Sequence, residues 1–67
     1  MANSDYVVKH YSTTGSLDGI DGLMTLSEAT DMAVWDSREN PGTEHAVVHR
    51  DSDREYRRYR NGKLVPS

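Results

Sequence analysis

The chain opens with a run of β-branched and aromatic residues interleaved with polar ones, residues 6–11. These residue types favour pleated sheets, and successive side chains of a strand point to opposite faces, so the run predicts a first strand. The glycine-rich stretch 12–22 predicts turns. Leu17, Ile20 and Leu23 recur every three residues, so we expect this loop to fold back onto the core. A second short strand within this stretch is the alternative to a loop.

A helix is predicted to begin after Thr25. Thr25 and Glu28 have the spacing of a capping box, in which each side chain accepts a hydrogen bond from the backbone N–H of the other residue. Four apolar residues then share one helical face: Leu26, Ala29, Met32 and Ala33. This spacing indicates an amphipathic helix of about three to four turns. The Asn-Pro-Gly segment 40–42 ends it, because proline disfavours helical backbone in the residue before it.

The C-terminal third predicts a β-hairpin followed by a short strand. Residues 45–50 and 54–60 are the two strands, joined by a turn at 51–53. Asn61-Gly62 is a strong signal for a second tight turn, and 63–65 then predicts a short edge strand. In a regular strand one face of 54–60 would carry Arg54, Tyr56, Arg58 and Arg60, and the other Glu55, Arg57 and Tyr59.

These elements predict a single α+β domain over residues 1–67. We expect a small antiparallel sheet of three to four strands, in the order β-loop-α-β-β, with one amphipathic helix packed on one face. The core material is scarce: Leu, Ile and Val number eleven and Phe is absent, while four Tyr, three Met and one Trp add packing volume. A homodimer, or a partner that completes the core, is therefore left open.

Composition and spacing argue against several chemistries. The absence of Cys excludes disulfides and thiolate zinc sites. His45 and His49 lie about 13 Å apart along one strand, and no acidic side chain is expected beside His10 to complete a metal site with either. The serine and threonine residues fall in caps and turns. We therefore expect no enzyme activity, no catalytic residue, no metal and no cofactor, and a cytoplasmic protein without a membrane segment.

Charge divides the chain into two unequal halves. Residues 1–47 carry eight acidic and two basic groups, whereas residues 48–67 carry six basic and three acidic groups. We expect a protein partner to contact two sets of residues, Glu28, Asp31, Trp35 and Glu39 on the helix and Arg57, Arg58, Tyr59 and Arg60 on the hairpin. Trp35 is expected either to anchor that interface or to cover the end of the core. Tyr59 is expected either to contact the partner or to cover the core.

The layout resembles small phage-encoded inhibitor proteins, among them anti-CRISPR proteins. The resemblance rests on residues 6–9, the capped helix from Thr25, and residues 47–50 running into a hairpin that ends at 60–63. It implies an inhibitor that binds a host nucleic-acid-binding effector complex. Two alternatives remain: a small nucleic-acid-binding domain that uses the Arg/Tyr hairpin, and a structural accessory subunit.

Overall fold

Five strands form one antiparallel sheet within residues 4–66, the part of the chain that the computed structural model describes. The elements in chain order are β1 (Tyr6–Tyr11), β2 (Leu17–Met24), α1 (Leu26–Glu39), β3 (Glu44–His49), β4 (Arg54–Arg60) and β5 (Lys63–Leu64). The order of strands across the sheet is β2-β1-β3-β4-β5. The α+β class with one helix packed on the sheet is confirmed.

The expected count of three to four strands is wrong, because β2 forms where a loop was predicted. Residues 17–24 pair with β1 along its whole length, with irregular register between Tyr6 and Val7 and between His10 and Tyr11. The segment folds back onto β1, but Leu17, Ile20 and Leu23 do not join the core as their spacing led us to expect. All three lie on this edge strand and are 47–55% exposed.

The helix begins as the sequence predicts. The Thr25 hydroxyl accepts from the Glu28 N–H at 3.1 Å, and the Glu28 carboxylate accepts from the Thr25 N–H at 3.0 Å. The last helical residue is Glu39, and the N–H of Asn40 closes the final turn on the Asp36 carbonyl. No helix within residues 4–66 is long and apolar enough to cross a membrane.

The core lies between α1 and the two central strands. Val8 of β1 and Val47 of β3 are directly opposite each other in the register, and both are fully buried against Ala29 and Ala33 of the helix. The two alanines allow the helix to approach the sheet closely. Five partly buried side chains surround this cluster: Tyr6, Met24, Leu26, Met32 and Tyr59.

A bulge in β4 changes the predicted distribution of its side chains. Val47 of β3 pairs with Arg57 and Val48 with Glu55, so Tyr56 is the extra residue between them. As a result Arg58 and Glu55, predicted on opposite faces, contact each other. Tyr56 packs edge-to-face against Tyr6, with ring centroids 5.5 Å apart. The strict alternation expected for residues 54–60 is therefore wrong.

Candidate functional site

One exposed side of α1 carries the four helical residues that the sequence singles out, which we call the acidic helix face: Glu28, Asp31, Trp35 and Glu39. Their spacing places them within one narrow stripe of the helix surface. All four are exposed, and the Trp35 side chain is 57% exposed. The capped start of the helix and the burial of Ala29 and Ala33 on its opposite side fix this orientation.

Trp35 lies outside the core cluster, so it does not cover the end of the core. Its ring is contacted by the guanidinium of Arg38, whose central carbon lies 5.3 Å from the ring centroid. Such a contact holds a cation over the aromatic face by electrostatic attraction. The indole is thus oriented on the helix surface while more than half of it stays accessible.

The carboxylates around Trp35 are largely unneutralised. Among the ion pairs of residues 4–66, none involves Glu28, Asp31 or Glu39. The backbone N–H of Thr25 and then its hydroxyl hold the pKa of Glu28 below its ordinary value. Glu28 therefore presents negative charge at neutral pH.

The basic hairpin residue Arg58 is engaged within the fold. Its guanidinium donates to Glu44 at 2.9 Å and to Glu55 at 2.8 Å, and it lies 4.7 Å from the centroid of the Tyr11 ring. The bond to Glu55, ahead of the one to Glu44, raises the pKa of Arg58 above its ordinary value. Two carboxylates neutralise this cation, so it is poorly suited to bind a phosphate.

The other three hairpin residues do not form one patch with Arg58. Tyr59 packs against the core, which is one of the two placements expected for it. Arg57 lies 3.4 Å from the Thr30 hydroxyl on the helix side of the sheet. Arg60 is exposed beside the turn and has no ion pair within residues 4–66. The structure therefore separates the four hairpin residues that the sequence grouped.

Two histidines that the sequence did not bring together form a close pair. His10 of β1 and His45 of β3 are directly opposite in the register, and their Nδ1 atoms are 2.7 Å apart. The expectation that no acidic side chain lies beside them is wrong: an Asp36 carboxylate oxygen is 3.7 Å from His10 Nδ1. One ligand atom from each of the three residues lies within 4.8 Å of the other two.

The outer nitrogens of both rings also have partners. His10 Nε2 lies 2.8 Å from an Asp21 carboxylate oxygen, and His45 Nε2 lies 2.7 Å from the Thr43 hydroxyl. His45 is 5% exposed, and burial, followed by the nearby His10, lowers its pKa. The contact between His10 and His45 depends on the register of β1 against β3, and the contact of His10 with Asp21 depends on β2. The spacing of the histidines in the sequence carries no signal for either.

Comparison with known proteins gave no match: no protein-family model, no curated protein and no solved structure is similar to this chain. Its function is therefore inferred from its own residues and their contacts. Two features within residues 4–66 are candidate sites. The acidic helix face is exposed and carries a large aromatic side chain, and the His10–His45 pair brings two imidazole rings into contact where His45 is buried.

Proposed function

We propose that this protein is a non-enzymatic protein-binding module whose acidic helix face contacts a basic surface of its partner. The observation that carries the proposal is Trp35, a large aromatic side chain that is 57% exposed among carboxylates without ion pairs. Tryptophan is among the residues most enriched at energetically dominant positions of protein interfaces.

The chemistry of the face defines the kind of partner. Glu28, Asp31 and Glu39 lie on the same exposed side of the helix as the indole, and their negative charge would attract a basic surface and accelerate association with it. The indole would insert into an apolar pocket at the centre of the contact, and Arg38 would remain over one side of its ring. The carboxylates would form the polar rim.

The resemblance to phage-encoded inhibitors extends the proposal to a cytoplasmic host complex that binds nucleic acid. The surfaces of such complexes that hold nucleic acid are basic. An acidic helix face of this kind would occupy one of them and exclude its nucleic acid. Inhibition would then result from blocking the nucleic-acid-binding surface and would require no reaction catalysed by this protein.

Direct binding of nucleic acid by the hairpin is the competing function. The contacts of Arg58 with Glu44 and Glu55, and the packing of Tyr59 on the core, remove two of the four hairpin residues from that role. Of these four residues, only Arg57 and Arg60 are left to contact nucleic acid. A contact by two arginines predicts weak binding, with an affinity that falls only about tenfold between about 50 and 200 mM salt.

Capture with matched variants tests the protein-binding proposal. Immobilised wild type, Trp35→Ala and Leu64→Ala would be incubated with a lysate of the cells that host this protein. Leu64 is 60% exposed, like Trp35, but lies on β5. A partner held by wild type and Leu64→Ala and lost by Trp35→Ala is expected. Equal capture by all three proteins would overturn the role of the acidic helix face.

The purified partner then allows the energies to be measured. We expect Trp35→Ala to weaken binding by about 2 kcal/mol or more. Replacing Glu28 and Asp31 by lysine should slow association and change dissociation little. Fluorescence anisotropy with single-stranded and duplex DNA at about 50 and 200 mM salt tests the competing function. Binding tighter than about 1 µM at the higher salt would favour the hairpin instead.

A further inference from the structure

The surroundings of the His10–His45 pair define where the protons of both rings lie. The Asp21 carboxylate that faces His10 Nε2 at 2.8 Å can only accept, so this nitrogen carries the hydrogen. The Thr43 hydroxyl donates its single proton to the Asn40 carbonyl at 2.6 Å. It must therefore accept from His45 Nε2, which is 2.7 Å away.

In their neutral forms the two rings would then direct lone pairs at the same point. A neutral imidazole that carries its hydrogen on Nε2 has an unprotonated Nδ1. The Nδ1 atoms of His10 and His45 face each other at 2.7 Å, so two acceptors meet without a donor. A cation between them removes this conflict. Either a proton shared by the two rings or a metal ion bound by both could supply it.

We propose that His10 Nδ1, His45 Nδ1 and the Asp36 carboxylate bind one divalent transition-metal ion, with zinc the best fit. Two imidazole nitrogens and a carboxylate oxygen form a ligand set that zinc accepts, and three protein ligands leave a fourth position for water. The three residues come from β1, β3 and the last turns of α1, so the ion would link the helix to both central strands.

The geometry needs only a small adjustment. Tetrahedral zinc with bonds of about 2.0–2.1 Å to nitrogen places the two nitrogens about 3.3 Å apart. The rings must therefore separate by roughly half an ångström from their present 2.7 Å. The Asp36 side chain is 40% exposed, so it can turn toward the ion. Gly19, the β2 residue opposite His10, has no side chain to cover the ring.

A second layer of contacts is of the kind that orients metal-binding histidines. Metal-binding histidines commonly donate their other ring nitrogen to a carboxylate or another oxygen, which fixes the tautomer and orients the ring. Asp21 and Thr43 do this for His10 and His45 respectively.

Zinc chloride titration by calorimetry tests the site, using untagged protein freed of metal with a chelator. We expect one zinc ion per chain for wild type and no stoichiometric binding for His10→Gln or His45→Gln. His49→Gln is the matched control, because His49 lies on the same strand as His45 but pairs with Tyr6 at its other end. Failure of wild type to bind zinc at about 100 µM would overturn the proposal.

Two further measurements keep the test decisive if the histidine variants unfold. Thr43→Val keeps all three proposed ligands and removes the hydroxyl that orients His45, together with its bond to the Asn40 carbonyl; we expect it to weaken zinc binding by about 10–100-fold. Long-range proton–nitrogen spectra of wild type should show zinc shifting the Nδ1 resonances of His10 and His45 while both Nε2 hydrogens remain. A response confined to His49, or unchanged affinity in Thr43→Val, would contradict the assigned ligands.

Discussion

Arg58 Nη2 lies 2.8 Å from Glu55 Oε1, although the two residues are three positions apart on one strand. In a regular strand such residues point to opposite faces of the sheet. The extra residue Tyr56 in β4 brings them to the same face. The same guanidinium reaches Glu44 on the neighbouring strand, so a bulge and an ion-pair network occur together.

Removing this guanidinium should destabilise the protein. Arg58→Ala leaves Glu44 and Glu55 without their shared cation and uncovers the ring of Tyr11. The Arg58 side chain is 31% exposed, so solvent screens part of the interaction, and we expect a loss of about 1–2 kcal/mol. Urea titration followed by circular dichroism measures it. Arg60→Ala is the control and should change stability by less than about 0.5 kcal/mol.

The capping box gives a second prediction. Thr25→Ala removes the hydroxyl that accepts from the Glu28 N–H, and we expect a loss of about 0.5–2 kcal/mol in the free energy of unfolding. Chemical denaturation of the two proteins gives the difference. Ser27→Ala, an exposed change within the same helical turn, should be nearly neutral. An unchanged midpoint in Thr25→Ala would mean that the cap contributes nothing.

The pKa of Glu28 predicts a dependence of stability on pH. Because the folded protein lowers this pKa below its ordinary value of 4.5, the ionised side chain stabilises the fold at neutral pH. That contribution is lost as the pH falls below about 4.5 and through the lower pKa of the folded state. Wild type should exceed Glu28→Gln in stability at pH 7, and the gap should close in acid. A gap that is constant with pH would refute this origin.

A buried serine connects the helix to the last turn of the sheet. Ser37 is fully buried; its hydroxyl accepts from the Gly62 N–H at 2.9 Å and donates to the Val34 carbonyl at 3.0 Å. Ser37→Ala leaves the Gly62 N–H without this acceptor, so we expect a loss of about 1–3 kcal/mol. Hydrogen exchange should show faster exchange at Gly62 in the variant. Protection of Gly62 equal to wild type would show that this bond contributes little.

The sequence predicts the helix and the last tight turn correctly, because each depends on residues that are close together in the chain. The capping box and the segment 40–42 predict the helix, which spans Leu26–Glu39. Asn61-Gly62 predicts a turn, and both residues have positive φ. The sequence predicts β2 only as an alternative to a loop because two glycines interrupt the strand, and its irregular pairing with β1 removes the two-residue period on which strand prediction depends.

The two candidate sites also differ in whether they depend on residues that are near or distant in the chain. The exposure of the acidic helix face follows from helical spacing alone, so the sequence indicates it correctly. His10 and His45 are 35 residues apart, and their contact requires a particular register between strands that are distant in the chain. Arg57 and Arg58 lie on opposite faces as strand alternation predicts, whereas residue types alone do not show the bulge at Tyr56 that places Glu55 on the same face as Arg58.

The pairing of β1 with β3 joins the β1–β2 pair to the β3–β4–β5 strands, and within each of these two units the paired strands follow one another in the chain. β1–β2 and β3–β4–β5 are antiparallel neighbours along the chain, whereas Tyr6 and His49 must meet although they are 43 positions apart among 67 residues. Non-local pairing of this kind slows folding, and it also completes the Val8–Val47 core on which the helix rests. A 14-residue helix is only marginally stable in water without packing of this kind. A synthetic peptide copying α1 alone would therefore not reproduce the surface that the whole chain presents.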